Sequence, residues 1–206
     1  MPVVDGDGNV IDARVVVSAY LQGAFPMAEH REGPFAWYRP EERAIITWDR
    51  FVIPRSLKKT RKKTPYRITF DTAFAEVIRA CAQARDSTWI SHDVEALYGE
   101  LFQQGIGHSV EAWDPVSGTL VGGCYGLAIG TLFSGESMFH VLPDAAKLCV
   151  VALAEHLQTC GFQILDCQQQ SDHMQRFGAY EVSLGDYMDL LENVDPNVNL
   201  WQRPNQ

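Results

Sequence analysis

The chain has 206 residues, 46% of them hydrophobic and 21% charged, a composition that excludes disordered, collagen-like and low-complexity classes and fits one principal core with a small appendage. Seventeen Lys and Arg face 26 Asp and Glu for a net charge of −9. Seven of those 17 lie between Arg55 and Arg67 with no acid among them, which excludes general coating of polyanions and leaves room for one local phosphate dock.

No apolar run approaches the roughly 20 residues needed to cross a bilayer. Acids and glycines occupy residues 1–12, where a secretory signal has basic and then apolar residues. Five cysteines (Cys81, Cys124, Cys149, Cys160 and Cys167) are odd in number and form no C-x-x-C pair. They read as buried thiols of a reducing compartment, so the protein is expected in the cytoplasm.

In chain order, a loose start leads to a short helix over 13–21, closed by Gly23 and Pro26. Residues 43–47 read as a strand, Pro54 as the first position of a basic helix, and 66–70 as a second strand. Asp71 or Thr72 is placed to cap a helix whose stripe is Phe74, Val77, Ile78 and Cys81. Ser91 is placed to cap another, carrying Val94, Leu97, Tyr98, Leu101 and Phe102 and stopping at Gly105. From His108 the period becomes two: 108–113 and 120–129 predict neighbouring strands joined by a turn with Pro115 and Gly118, and 131–134 a third. Asp144 is then placed to cap a long helix with Ala146, Val150, Leu153 and Leu157 on one face and Gly161 at its end. A buried strand over 162–167, a helix over 172–177 and a last helix capped by Ser183 complete the pattern, with 192–206 frayed. This order predicts an α/β (α+β) mixed sheet flanked by helices.

Four features bear on chemistry. On a helix, Arg55, Lys58, Lys59 and Lys62 share one side, beside Arg61 and Lys63. That is either a solvated face or a ridge for phosphates, and the acidic remainder of the chain favours the ridge. Gly122, Gly123 and Gly126 within a good strand point to a bulge, a tight sheet crossing, or close approach by a ligand. Glu136, an acid at the end of an apolar strand, must be paired or shift its pKa if buried, and is otherwise a surface residue. In Asp166-Cys167-Gln168, period two puts the Asp and Gln on one face at a strand end, where ligands of open α/β sheets commonly sit. No His is placed to activate Cys167, His173 reads as structural, and no metal spacing is present. No metal or cofactor is expected.

The stretches Ala19-Tyr20, Gly23-Ala24-Phe25-Pro26, Arg55-Ser56-Leu57-Lys58, Thr88-Trp89-Ile90, His108-Ser109-Val110-Glu111, Leu120-Val121-Gly122-Gly123, Gly135-Glu136-Ser137-Met138-Phe139 and Asp166-Cys167-Gln168 together resemble the leucyl/phenylalanyl-tRNA–protein transferases. The resemblance implies transfer of Leu or Phe, and sometimes Met, from aminoacyl-tRNA to proteins with an N-terminal Lys or Arg, which marks them for degradation. It also implies an acetyltransferase-like (GNAT) domain over 43–194, a truncated N-terminal subdomain over 1–42 and a tail over 195–206. Carried over by position, Glu136 attracts the basic acceptor, and Gln168, held by Asp166, stands beside the reacting ester. Cys124, Phe133, Met138, Leu153 and Leu165 form the donor pocket, and Trp89 contacts the terminal adenosine of the donor tRNA. The tRNA-binding cluster is Arg55, Lys58, Lys59, Arg61, Lys62 and Lys63. Met27 replaces a Trp of the best-known members, and Cys124 a bulkier apolar residue.

The implied reaction needs little beyond these groups. An aminoacyl ester is already activated, and a peptide α-amine of pKa about 7.7–8.0 is partly neutral at physiological pH. Holding amine and ester together lowers the barrier by up to about 7–11 kcal/mol. The sequence leaves open whether Gln168 and Asp166 act as base or only position. Two other readings are an acyl-CoA-dependent acyltransferase, disfavoured by the missing pyrophosphate loop, and a silent tRNA-binding relative, which predicts binding without turnover.

Overall fold

The structure, a computed structural model, describes residues 10–63, 66–84 and 87–204. In chain order it forms α1 (Ala13–Leu21), β1 (Phe25–Ala28), β2 (Phe35–Tyr38), β3 (Glu42–Thr47), α2 (Arg55–Lys63), β4 (Arg67–Phe70), α3 (Phe74–Gln83) and α4 (His92–Gln103). There follow β5 (Gly107–Trp113), β6 (Leu120–Ile129), β7 (Leu132–His140), α5 (Ala145–Cys160), β8 (Ile164–Gln168), α6 (Asp172–Gln175), β9 (Tyr180–Ser183) and α7 (Leu184–Leu191). Seven strands join in the order β4-β5-β6-β7-β8-β3-β9, while β1 and β2 pair separately. Every neighbouring pair is antiparallel except β7 and β8, which α5 connects as a crossover. The fold is thus a mixed α/β sheet.

Apolar stripes fix which helix covers which face. Val16 and Tyr20 of α1, Val77 and Ile78 of α3, and Leu97 and Tyr98 of α4 bury together in one cluster. Leu57 of α2 and Cys149, Leu153 and Leu157 of α5 bury in the other. Gly122 explains how closely α5 lies on the sheet: a Cβ there would stand 2.6 Å from the Ala145 Cβ and 2.9 Å from the Ala146 nitrogen. The approaching backbone at this glycine is therefore the protein's own helix.

Several expectations need correction. Neither Asp71 nor Thr72 caps α3. Asp71 is turned away in a left-handed conformation at φ 57°, and the buried Glu111 of β5 instead reaches the Ala73 N–H at 3.4 Å. Asp144 precedes α5 but makes no side-chain cap; its carboxylate takes Lys147 at 2.6 Å and Thr60 at 3.1 Å. The strand expected over 131–134 runs on to His140, so Glu136 lies inside β7. Extended pairing with β6 sustains it past a bulge between Tyr125 and Gly126. The helix after Ser171 stops at Gln175.

The end of the chain is also not frayed where it is described. Trp201 is 8% exposed, stacks on His108 and Phe133, and donates its indole N–H to Asp71 at 2.9 Å. A large aromatic ring with a satisfied N–H gives a short tail enough burial to stay docked. Residues 1–9 of the expected N-terminal segment and 205–206 of the expected tail lie outside the described residues.

Candidate active site

β7 and β8 pair only from Leu132–Ser134 to Ile164–Asp166. Beyond those residues the two strands part, and a cleft of about 270 Å³ opens between them. Its walls bring together Cys124, Met138, Leu153 and Leu165 with Trp89, Glu136, Asp166 and Gln168. Phe133 is the exception among the expected pocket residues. It sits opposite Leu165 where the strands are still paired, and its ring packs on Phe162 and Trp201 in the core. Phe25, Met27, Val150 and Met174 also line the cleft, and periodicity had assigned no role to Phe25 or Met174.

Gln168 ends β8 in a strained turn. Its φ is 60°, and the Gln169 N–H closes on the Cys167 carbonyl at 2.8 Å. A non-glycine residue in this region costs free energy and persists only when its surroundings hold it. Asp166 supplies that hold, its Oδ1 accepting the Gln168 backbone N–H at 2.7 Å. So Asp166 fixes the Gln168 backbone, while the carboxamide is fixed by Glu136, whose Oε2 accepts its Nε2–H at 2.9 Å.

Asp166 is fully buried and belongs to an ion pair that the sequence did not disclose. Arg43 of β3 donates through Nε and a terminal nitrogen to its carboxylate at 3.0 and 2.7 Å, and Tyr187 of α7 donates at 2.8 Å. Burial opposes the Arg43 charge, and the Asp166 carboxylate more than offsets it. The same guanidinium reaches the Gly23 carbonyl at 2.9 Å. One arginine therefore ties β3, β8 and the turn after α1 together. The available signal was an arginine at the head of the apolar run Ala44-Ile45-Ile46, which must find a partner if buried.

Glu136 is 8% exposed and heavily bonded. The hydroxyls of Tyr20 and Ser134 reach Oε1 at 2.9 and 3.0 Å, and the Tyr98 hydroxyl and the Gln168 amide reach Oε2 at 2.8 and 2.9 Å. Burial raises its pKa above the ordinary carboxylate range, against the pull of these hydrogen bonds. Burial also raises the thiols of Cys124 and Cys167, so neither supplies a thiolate nucleophile at neutral pH. Tyr20 and Tyr98 sit in the apolar stripes of their helices and read from sequence as ordinary core.

The basic ridge is α2, with Arg55, Lys58, Lys59, Arg61, Lys62 and Lys63 exposed and Leu57 buried. Arg61 forms a two-pronged pair with Glu155 of α5 at 2.6 and 2.8 Å. That pair and the Thr60–Asp144 bond fasten α2 to the helix that sends Val150 and Leu153 into the cleft. Among the described residues no helix is long and apolar enough to cross a membrane, and no group of His, Cys, Asp and Glu is arranged to hold a metal ion.

Comparison with known proteins agrees over most of the chain. The sequence profile of the family described as Leucyl/phenylalanyl-tRNA protein transferase matches residues 45–192, and that of its N-terminal domain matches 9–41. The chain is 45% identical over 183 residues to the leucyl/phenylalanyl-tRNA–protein transferase of Akkermansia muciniphila, covering 87% of this chain and 94% of the relative. It is 44% identical over 182 residues to the protein of the same name from Herpetosiphon aurantiacus, covering 88% and 93%. Among solved structures, L-PGS from Bacillus licheniformis is similar over 77% of this chain and 66% of its own, at 12% identity and a TM-score of 0.47.

Proposed function

Because this chain belongs to the leucyl/phenylalanyl-tRNA–protein transferase family, we propose that it moves Leu or Phe, and also Met, from charged tRNA to the α-amine of proteins beginning with Lys or Arg. The new residue would mark the acceptor for degradation, and the expected setting is the cytoplasm. The observation that carries this reading is the sharing of one cleft by the apolar hollow and the Gln168–Glu136 pair. The donor side chain enters between Cys124, Met138, Leu153 and Leu165, with its adenosine against Trp89. A hydrophobic hollow separates neighbouring side chains by only about 1–3 kcal/mol, which suits a mixed Leu, Phe and Met range.

The amine nitrogen attacks the ester carbonyl, a C–N bond forms, and the ester C–O bond breaks to return the proton to the ribose hydroxyl of the tRNA. With its Nε2 donating to Glu136, Gln168 presents its carbonyl oxygen to the incoming amine and positions it. Asp166, committed to Arg43 and Tyr187, holds the turn and does not serve as base. Four hydrogen-bond partners already engage the Glu136 carboxyl, so Glu136 orients Gln168 and does not grip the acceptor's cation directly. The acidic body of the chain supplies the general field that favours a basic chain start. Arg55, Lys58, Lys59, Lys62 and Lys63 follow the tRNA backbone, and Arg61 anchors their helix.

We read 43–194 as an acetyltransferase-like (GNAT) domain preceded by the N-terminal segment 1–42 and followed by the tail 195–206. The parting of a central parallel strand pair and the matched spans 9–41 and 45–192 support this. The test is labelled-leucine transfer from charged tRNA to a peptide with an N-terminal Arg. Label should appear on the free peptide and vanish when its N-terminus is acetylated; equal labelling of both would refute the proposal.

A further inference from the structure

Tyr20, Tyr98 and Glu136 form a closed triangle of side chains, each within hydrogen-bond distance of the other two. The two phenol oxygens are 2.5 Å apart, and each is also within 2.9 Å of the carboxyl, at Oε1 and Oε2 respectively. A hydrogen-bonded triangle has three edges and needs three protons, one per edge. The two phenols supply two. If Glu136 were ionised, one edge would set two lone pairs against each other at hydrogen-bond distance between groups of which both phenols are fully buried. The Ser134 hydroxyl and the Gln168 amide point their own protons at the carboxyl and add none to the triangle.

We propose that Glu136 rests as a neutral carboxyl, its proton closing a ring shared with the hydroxyls of Tyr20 and Tyr98, so that these two tyrosines are positioning residues for Gln168. In this ring Oε1–H donates to Tyr20, Tyr20 donates to Tyr98, and Tyr98 donates to Oε2. That oxygen remains an acceptor for the Gln168 amide, which keeps the carboxamide oriented. Each bond in such a cycle polarises the next. Burial acts in the same direction, raising the carboxyl and both phenols above their ordinary ranges.

The charged surroundings do not supply a competing counter-ion. Facing Glu136 are Tyr20 from α1, Tyr98 from α4, Tyr125 from β6, Ser134 from its own strand and Gln168 from β8. The Arg43 charge nearby is already paired with Asp166. The consequence rests on the transfer reading above: the apolar donor side chain meets a neutral carboxyl at Glu136, and the other carboxylate of the wall, Asp166, is already neutralised by Arg43.

The test is carbon NMR of protein labelled at the glutamate side-chain carboxyls, with the Glu136→Gln spectrum identifying the resonance. Near neutral pH the Glu136 carbon should lie at the protonated-carboxyl position, apart from the ionised glutamates; finding it among them at about pH 6 overturns the proposal. Tyr98→Phe opens the ring, since Tyr20, Ser134 and Gln168 can then all donate to an anion, and should move the signal to the ionised position near neutral pH. Tyr20→Phe gives the same expectation if the first variant does not fold, and an unmoved signal in a folded variant overturns the ring. Turnover gives an independent readout. The ratio of Tyr98→Phe to wild-type kcat should rise as pH falls from about 8 to about 6, because acid restores the neutral carboxyl; a flat ratio marks a merely structural tyrosine. Absence of leucine transfer by the unmodified protein would refute the function and leave the carboxyl titration readable.

Discussion

Gln168 shows how much of the chemistry depends on single residues. A left-handed backbone at φ 60°, the Asp166 oxygen on its N–H and the Glu136 oxygen on its amide leave one orientation for its side chain. In the same cleft, Cys124 lines the hollow opposite Met138. Cys124→Met should shrink the hollow and reduce phenylalanine use relative to leucine by roughly tenfold, within the range hydrophobic pockets reach; competing charged tRNAs in one transfer assay would measure the ratio, and an unchanged ratio would remove Cys124 from the pocket wall. At this scale the sequence was informative wherever a polar residue interrupted an apolar strand, as with Glu136, Asp166 and Gln168. It was silent on Arg43, Tyr20 and Tyr98, because the partner that gives each its role comes from a distant element. Phe133, carried over from the resemblance by position, lies outside the cleft lining because β7 and β8 are still paired at its level.

Among the elements, α2 carries the clearest division of labour. Leu57, Thr60 and Arg61 hold it to the body, and the remaining cations face outward. Replacing Lys58, Lys59 and Lys62 with Ala should weaken tRNA binding and flatten the logarithmic dependence of affinity on salt, by about 0.7–0.9 for each phosphate that is no longer neutralised. Titrations at several salt concentrations give that slope, and an unchanged slope would remove the ridge from the interface. Arg61→Ala, by contrast, should act mainly by removing an exposed ion pair, about 0–1 kcal/mol of stability. Long elements with strong periods were legible: the Ser91 cap and the stripe of α4, and the α5 stop at Gly161, appear where the residues place them. The hairpin of β1 and β2 and the edge strand β9 were not, since four residues hold too few repeats to establish a period. The α3 start was misjudged because its N–H partner, Glu111, comes from β5, the strand paired with β4 but remote from Ala73 in sequence.

For the whole molecule, the decisive feature is one parallel pair in an otherwise antiparallel sheet. The crossover through α5 brings β8 beside β7 for three residues and then lets the strands part, and the cleft follows from that divergence. Arg43 braces it from β3, and the packed tail with Trp201 closes the core behind Phe133. Sequence order suggested a mixed sheet but not the strand order that sets Glu136 opposite Gln168, because pairing between remote strands leaves no local pattern. The most direct measurement is a crystal structure with a stable donor analogue, phenylalanine joined by an amide to 3′-amino-3′-deoxyadenosine. The phenyl ring should lie among Cys124, Met138, Leu153 and Leu165, with the amide beside the Gln168 side chain and the adenine against Trp89. A ring seated instead in the groove of Phe74, Ile78 and Ala96 between α3 and α4 would contradict the account.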